Sequence, residues 1–151
     1  MNTNVADMQK YLEKWQRVLR LRDWDIKLQP VEKEWRKTGD IKIDMEDRNA
    51  VLLINVHNPR QTNLEELVIH ELLHLKLWGM DQMIENLIDC VYGNDESDAK
   101  REFAYTQFMT LLESTVNDLA KSFLQEAGED KEISFGRLSE AVREEIGEWH
   151  R

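Results

Sequence analysis

At 151 residues, 41% apolar and 33% charged, the chain is long enough for one domain around a real core and has too ordinary a mixture to be disordered or fibrous. A formal charge of −10 argues against nucleic acid as a partner, because phosphate contacts need clustered Lys and Arg. The one cysteine, Cys90, excludes an internal disulfide and any zinc knot that takes two or four cysteine ligands.

Met1 to Asp7 lack a basic stretch followed by an apolar one, so no signal peptide is expected. Met8–Leu21 predicts an amphipathic helix, with Tyr11, Leu12, Trp15, Val18, Leu19 and Leu21 at three- and four-residue spacing. Asp23–Leu28 alternates polar and apolar residues, the period of a half-buried strand, and Pro30 is expected to close it. Asp40–Met45 alternates in the same way between Gly39 and the turn residues Asp47-Arg48-Asn49. Ala50–Val56 is a third, more apolar strand, and the three together predict a small, mostly antiparallel sheet.

Thr62-Asn63-Leu64-Glu65 has capping-box spacing, and the helix it opens is expected to run to about Trp78 with Gly79 as its stop. That stretch carries charges and is too short to span a bilayer, so a cytoplasmic protein without a membrane partner is expected. Asp81–Val91 predicts a further helix, on which Leu87, Cys90 and Val91 share an apolar face and make Cys90 a buried thiol. Ser97 or Asp98 caps a long helix to about Gln125, Gly128-Glu129-Asp130 breaks it, and Leu138–Ile146 forms a short last one. Five Trp residues fit packing better than a ligand cage, although Trp78, one turn beyond His74, is placed to wall a site. The reading is one α+β domain over residues 1–151.

His70-Glu71-Leu72-Leu73-His74 places two imidazoles at i and i+4 on one helix face, where both reach a single ion at about 2.0–2.1 Å. Glu71, one position round, stands beside the metal, placed to take a proton from a water there. A lone histidine on an apolar face is more often a hydrogen-bonded core residue. Here, however, two His and a Glu interrupt Leu64, Leu67, Val68, Ile69, Leu72, Leu73, Leu75 and Leu77, and a helix so apolar is buried. Three ionisable groups there are costly unless something binds them. A catalytic zinc site takes three protein ligands and keeps one position open. On the long helix, Met109, Leu112, Val116, Leu119, Ala120 and Phe123 mark a buried face, and Glu113 falls among them. Glu102 is the reserve third ligand, ahead of Glu85 and Asp89; Asp81, Glu85 and Asp89 follow the motif too closely to turn back easily.

The H-E-L-L-H run followed by Glu113 on a later helix resembles the gluzincin metallopeptidases, and the layout is similar to minigluzincins and phage-type metallopeptidase-like proteins. The family's later helix reads E-x-x-x-D, with the Asp orienting a ligating His; here Asn117 stands at that position, able to accept an imidazole N–H but carrying no charge. The resemblance implies a zincin-like fold, one zinc per chain on His70, His74 and Glu113, and hydrolysis of a peptide or protein substrate with Glu71 as the general base. It also implies that Ala50–Val56 lines the cleft and pairs with an extended substrate. The oxyanion donor is open among Tyr105, Tyr92, His57 and His150. The H-E-x-x-H-x-x-G-x-x-H pattern fails, since Leu77 and Met80 occupy the places of its Gly and third His. The alternatives are a non-catalytic zinc-binding regulatory domain, which would have no use for Glu71, and a latent peptidase.

Overall fold

The computed structural model describes residues 5–149. Helix α1 (Val5–Val18) buries Met8, Leu12 and Trp15, one turn apart on one face. Three strands follow: β1 (Asp25–Val31), β2 (Gly39–Asp44) and β3 (Asn49–Asn55). Their order is β1-β3-β2, with β1 parallel to β3 and β2 antiparallel to it. The sheet is therefore mixed, where alternation in the sequence predicts a mostly antiparallel one. Alternation reports which residues face the core and carries no information on strand direction. Pro30 lies inside β1 and is tolerated because β1 is an edge strand. The more apolar β3 is the central strand, with Leu52 and Ile54 fully buried.

Helix α2 (Leu64–Lys76) runs through the middle of the structure, packed against α1, β2 and a long helix, α4 (Ala99–Ala127). This burial explains why its apolar residues surround it: Val68, Ile69 and Leu72 are wholly inaccessible. Its cap is Asn63, whose side chain accepts the Glu66 N–H, one residue later than the predicted capping box. Thr62 bonds Ser134 instead, and Glu65 is buried against α1. α2 ends at Leu77, in the sparsely used backbone region at φ −95° and ψ 1°. Gly79 is no stop, but lies in the first turn of α3 (Trp78–Tyr92).

Asp98 caps α4 through the Arg101 N–H. Its inward stripe is Leu112, Val116, Ala120, Phe123 and Leu124, while Leu119 faces out, a correction of the expected buried face at that end. Gly128 follows α4 because a Cβ there would lie 2.5 Å from the Leu124 carbonyl oxygen. A strap of residues 129–138, ending in a 3-10 turn at Gly136–Leu138, leads to α5 (Ser139–Ile146). Cys90 is exposed, not buried. α3 turns Asp81 and Ile88 inward and leaves Met83, Leu87 and Val91 on the outside, and periodicity alone does not say which side of a helix is covered. No helix among the described residues is long and apolar enough to cross a membrane.

Candidate metal centre

Two helices build the centre. α2 presents Glu66, His70 and His74 at four-residue intervals along the face that borders an open cleft of about 990 Å³. α4 presents Met109, Glu113, Asn117 and Lys121 at the same interval from the other side, and β2 closes the third wall with Gly39, Asp40, Ile41 and Ile43. The ligand atoms that His70, His74 and Glu113 can offer all lie within 4.8 Å of one another. The two Nε2 atoms are 3.2 Å apart, Glu113 Oε1 is 3.0 Å from His70 Nε2, and Oε2 is 3.1 Å from His74 Nε2. A tetrahedral zinc with bonds of about 2.0–2.1 Å separates neighbouring ligand atoms by roughly 3.3–3.4 Å. The two imidazoles stand close to that spacing, and each has one of the two Glu113 oxygens near it, Oε1 at His70 and Oε2 at His74, so a small turn of the carboxylate would present a single oxygen to both. Two imidazole nitrogens and a carboxylate are also a donor set that zinc accepts.

The electrostatics are those of a tightly coupled cluster. Hydrogen bonds from His70 and then His74 hold the Glu113 carboxyl far below the usual carboxylate range, against the opposing effect of burial. Burial disfavours a charged His74, but the Glu113 hydrogen bond and the nearby Glu71 outweigh it and raise the imidazole above its ordinary value. Glu71 is buried, with Oε1 3.9 Å from His70 Nε2, and burial pushes its carboxyl up while the two histidines pull it down. A carboxylate raised in this way is a better proton acceptor near neutral pH. Gly39 makes the arrangement sterically feasible, since a Cβ there would stand 2.8 Å from Leu67 Cδ1 and 3.3 Å from Glu71 Oε1.

The other sequence candidates separate cleanly. Glu102 is exposed in the first turn of α4, eleven residues before Glu113 and so roughly 16 Å away along the axis. Asp89 is held by Arg101 at 2.8 Å. Glu85 accepts from Gln82, also at 2.8 Å. Asp81 is buried in the cleft wall beside Trp78 but outside the three-residue cluster, and burial raises its carboxyl. Asn117 lines the cleft one turn from Glu113 without a hydrogen bond to either imidazole. Tyr105, Tyr92 and His57 do not line the cleft, and His150 lies outside the described residues. Ala50–Val56 is not placed to pair with a substrate, because both of β3's edges are already taken by β1 and β2. The strand with a free edge on the cleft is β2.

Sequence reasoning passes over three features of this cleft. One is Glu66, a buried carboxylate one turn before His70 whose Oε2 has no hydrogen-bond partner among the described residues, and its i−4 spacing was the available signal. The others are the strap residues Ile133–Leu138 and a set of basic side chains, which reach the cleft from segments far apart in sequence. No protein-family model matches the chain, and no curated protein matches it either.

Proposed function

We propose that this chain is a zinc-dependent peptidase of zincin-like fold, with His70, His74 and Glu113 as the metal ligands. The observation that carries the reading is the convergence of these three residues, from two helices 39 residues apart, beside a buried Glu71 in an open cleft. Zinc held there would supply Lewis-acid chemistry, lowering the pKa of a water and polarising a carbonyl. Glu71 takes the water's proton and passes it to the leaving amine, and its burial keeps it poised for both transfers. The free edge of β2 offers backbone groups to an extended peptide, which the cleft then holds across the α2 face. Trp78 and Met109 add apolar surface to the cleft wall.

A closed regulatory zinc site would need neither the open cleft nor a carboxylate next to His70, so both features favour the catalytic reading. The test is zinc content and cleavage of a quenched-fluorescence peptide library by wild type and Glu71→Gln. The expected result is about one zinc per chain in both proteins, with cleavage by the variant reduced about 10²–10⁴-fold. Equal cleavage by the two would sink the assignment of Glu71, and absence of zinc from the wild type would sink the metal site.

A further inference from the structure

The cleft of this acidic chain is lined by basic side chains from four separate segments, most of them without an ion-pair partner among the described residues. Arg36, Lys37, Arg60, Lys121 and Arg137 all line it. Lys37 pairs with Asp40 at 3.0 Å. The other four form no ion pair among the described residues, in a chain with thirty acidic side chains against twenty basic ones.

Their convergence is built by the backbone. The Arg60 N–H donates to Thr38 Oγ1 at 3.2 Å, which ties Arg60 to the segment carrying Arg36 and Lys37. Gly136 sits directly on the Arg60 carbonyl, where a Cβ would fall 1.5 Å from the oxygen, so only glycine brings the strap this close. Ser134 fastens the same strap, its Oγ accepting the N–H groups of Thr62 at 3.0 Å and Gly136 at 3.2 Å. The backbone of Arg137 is thereby held next to that of Arg60, and neither side chain has an ion-pair partner among the described residues. Like charges held together in this way repel, and an anion relieves the repulsion. Lys121 adds a fourth charge from α4; it acts on the buried Glu66 electrostatically but forms no ion pair with it.

We infer that the α2-N-terminal end of the cleft, formed by Arg36, Arg60, Lys121 and Arg137, is a subsite for carboxylates of an acidic peptide. Nucleic acid fits less well, because Asp40, Glu66, Glu71, Asp81 and Glu113 line the same cleft and would repel a phosphate backbone running through it. Carboxylates presented at this end meet four cations without an ion-pair partner among the described residues, although the buried Glu66 lies within the influence of Lys121. The guanidinium groups bind them in bidentate fashion, and the exposed setting makes each contribution modest and salt-sensitive. This inference names the substrate class for the proposed peptidase site and rests on that reading.

The experiment measures binding of fluorescein-labelled peptides to zinc-supplemented Glu71→Gln protein, so that cleavage does not intervene. Peptides matched except for Glu, Gln or Lys are compared as free acids and as C-terminal amides, with a single-stranded oligonucleotide as competitor. The Glu peptide should bind about tenfold more tightly than the Gln peptide at low salt. The preference should shrink about fivefold in Arg60→Gln/Arg137→Gln, and separately in Lys121→Gln, all exposed positions where folding is not at stake. Preference lost on amidation assigns the terminal carboxylate, and preference kept assigns acidic side chains; both support the subsite. Equal binding of Glu and Gln peptides, tighter binding of the Lys peptide, or displacement by the oligonucleotide at lower concentration than by the Glu peptide would overturn it. Arginine-dependent binding of acidic peptides that wild type does not cleave would leave the subsite standing and remove the hydrolytic reading. Cleavage without any charge preference would do the reverse.

Discussion

Replacing Glu65 with alanine removes the acceptor for four donors at once. The residue is 1% exposed. Its Oε1 accepts the Trp15 indole N–H at 2.8 Å and the Lys14 ammonium at 2.7 Å. Oε2 accepts the backbone N–H groups of Glu129 at 2.8 Å and Asp130 at 3.3 Å, so one carboxylate joins α1, α2 and the chain just beyond α4. Trp15 is wholly buried, and an indole N–H left there without a partner costs about 1–3 kcal/mol. Lys14 and the two backbone groups lie at or near the surface and recover part of their hydration from water. With the small void that the side chain leaves, the total is about 3–5 kcal/mol, the range for breaking one side of a buried ion pair. For a chain of this length that lowers Tm by roughly 10 °C. Glu65→Gln, which keeps an oxygen for Trp15, should lose less than half as much. The assay is thermal and urea unfolding at pH 7, and an alanine variant within about 0.5 kcal/mol of wild type would refute the reasoning. The pH dependence has a definite sign. Burial alone would raise this carboxyl, but its donors hold it below the ordinary value. Its contribution is therefore complete above the unfolded pKa of about 4.3 and is lost as pH falls through the lower folded value. The gap between variant and wild type should narrow in acid.

The site itself makes further predictions. Glu113→Ala should weaken zinc binding by about two to three orders of magnitude, taking roughly 3–4 kcal/mol per ligand, while Glu102→Ala leaves it unchanged; competition with a chromophoric chelator measures both. Gly39→Val should press on Leu67 and Glu71 and lower kcat/KM about tenfold or more with zinc content retained, and an unaltered kcat/KM would contradict the steric role of Gly39. Metal-free protein should become less stable as pH rises past about 6.5. The raised His74 contributes stability that is full below its unfolded pKa and is lost as pH climbs through its higher folded pKa. Zinc should reverse the trend, because binding requires neutral imidazoles. Unfolding curves from pH 6 to pH 9, with chelator and with zinc, test the crossing.

The approach of His70 and His74 to one another was legible in the sequence because its information is local. A four-residue interval on a helix puts His70 and His74 on one face whatever the rest of the chain does. The apolar stripe of the long helix likewise placed Glu113 among inward-facing residues, although Leu119 turned out to face solvent and Leu124 to be buried. Other features depended on what lay across from each element. β1 and β3 run parallel because the intervening chain carries β2 to the far side of β3, which the strand pattern does not encode. For the same reason the free edge on the cleft belongs to β2 and not to the more apolar β3. Glu65 read as half of a capping box, whereas α1 and the end of α4 supply its actual donors. Cys90 and its apolar neighbours look buried on a helical wheel, yet no described element covers that side of α3.

Hydrogen-bonding periodicity is a property of a dozen consecutive residues, so the sequence by itself determined the helices, the paired imidazoles and the acid beside them. Burial, strand partners and charge clustering are properties of surfaces brought together from distant segments. Only the tertiary structure could therefore decide that Gly136 seats the strap on Arg60, and that basic side chains from distant segments come to line one cleft of an acidic chain.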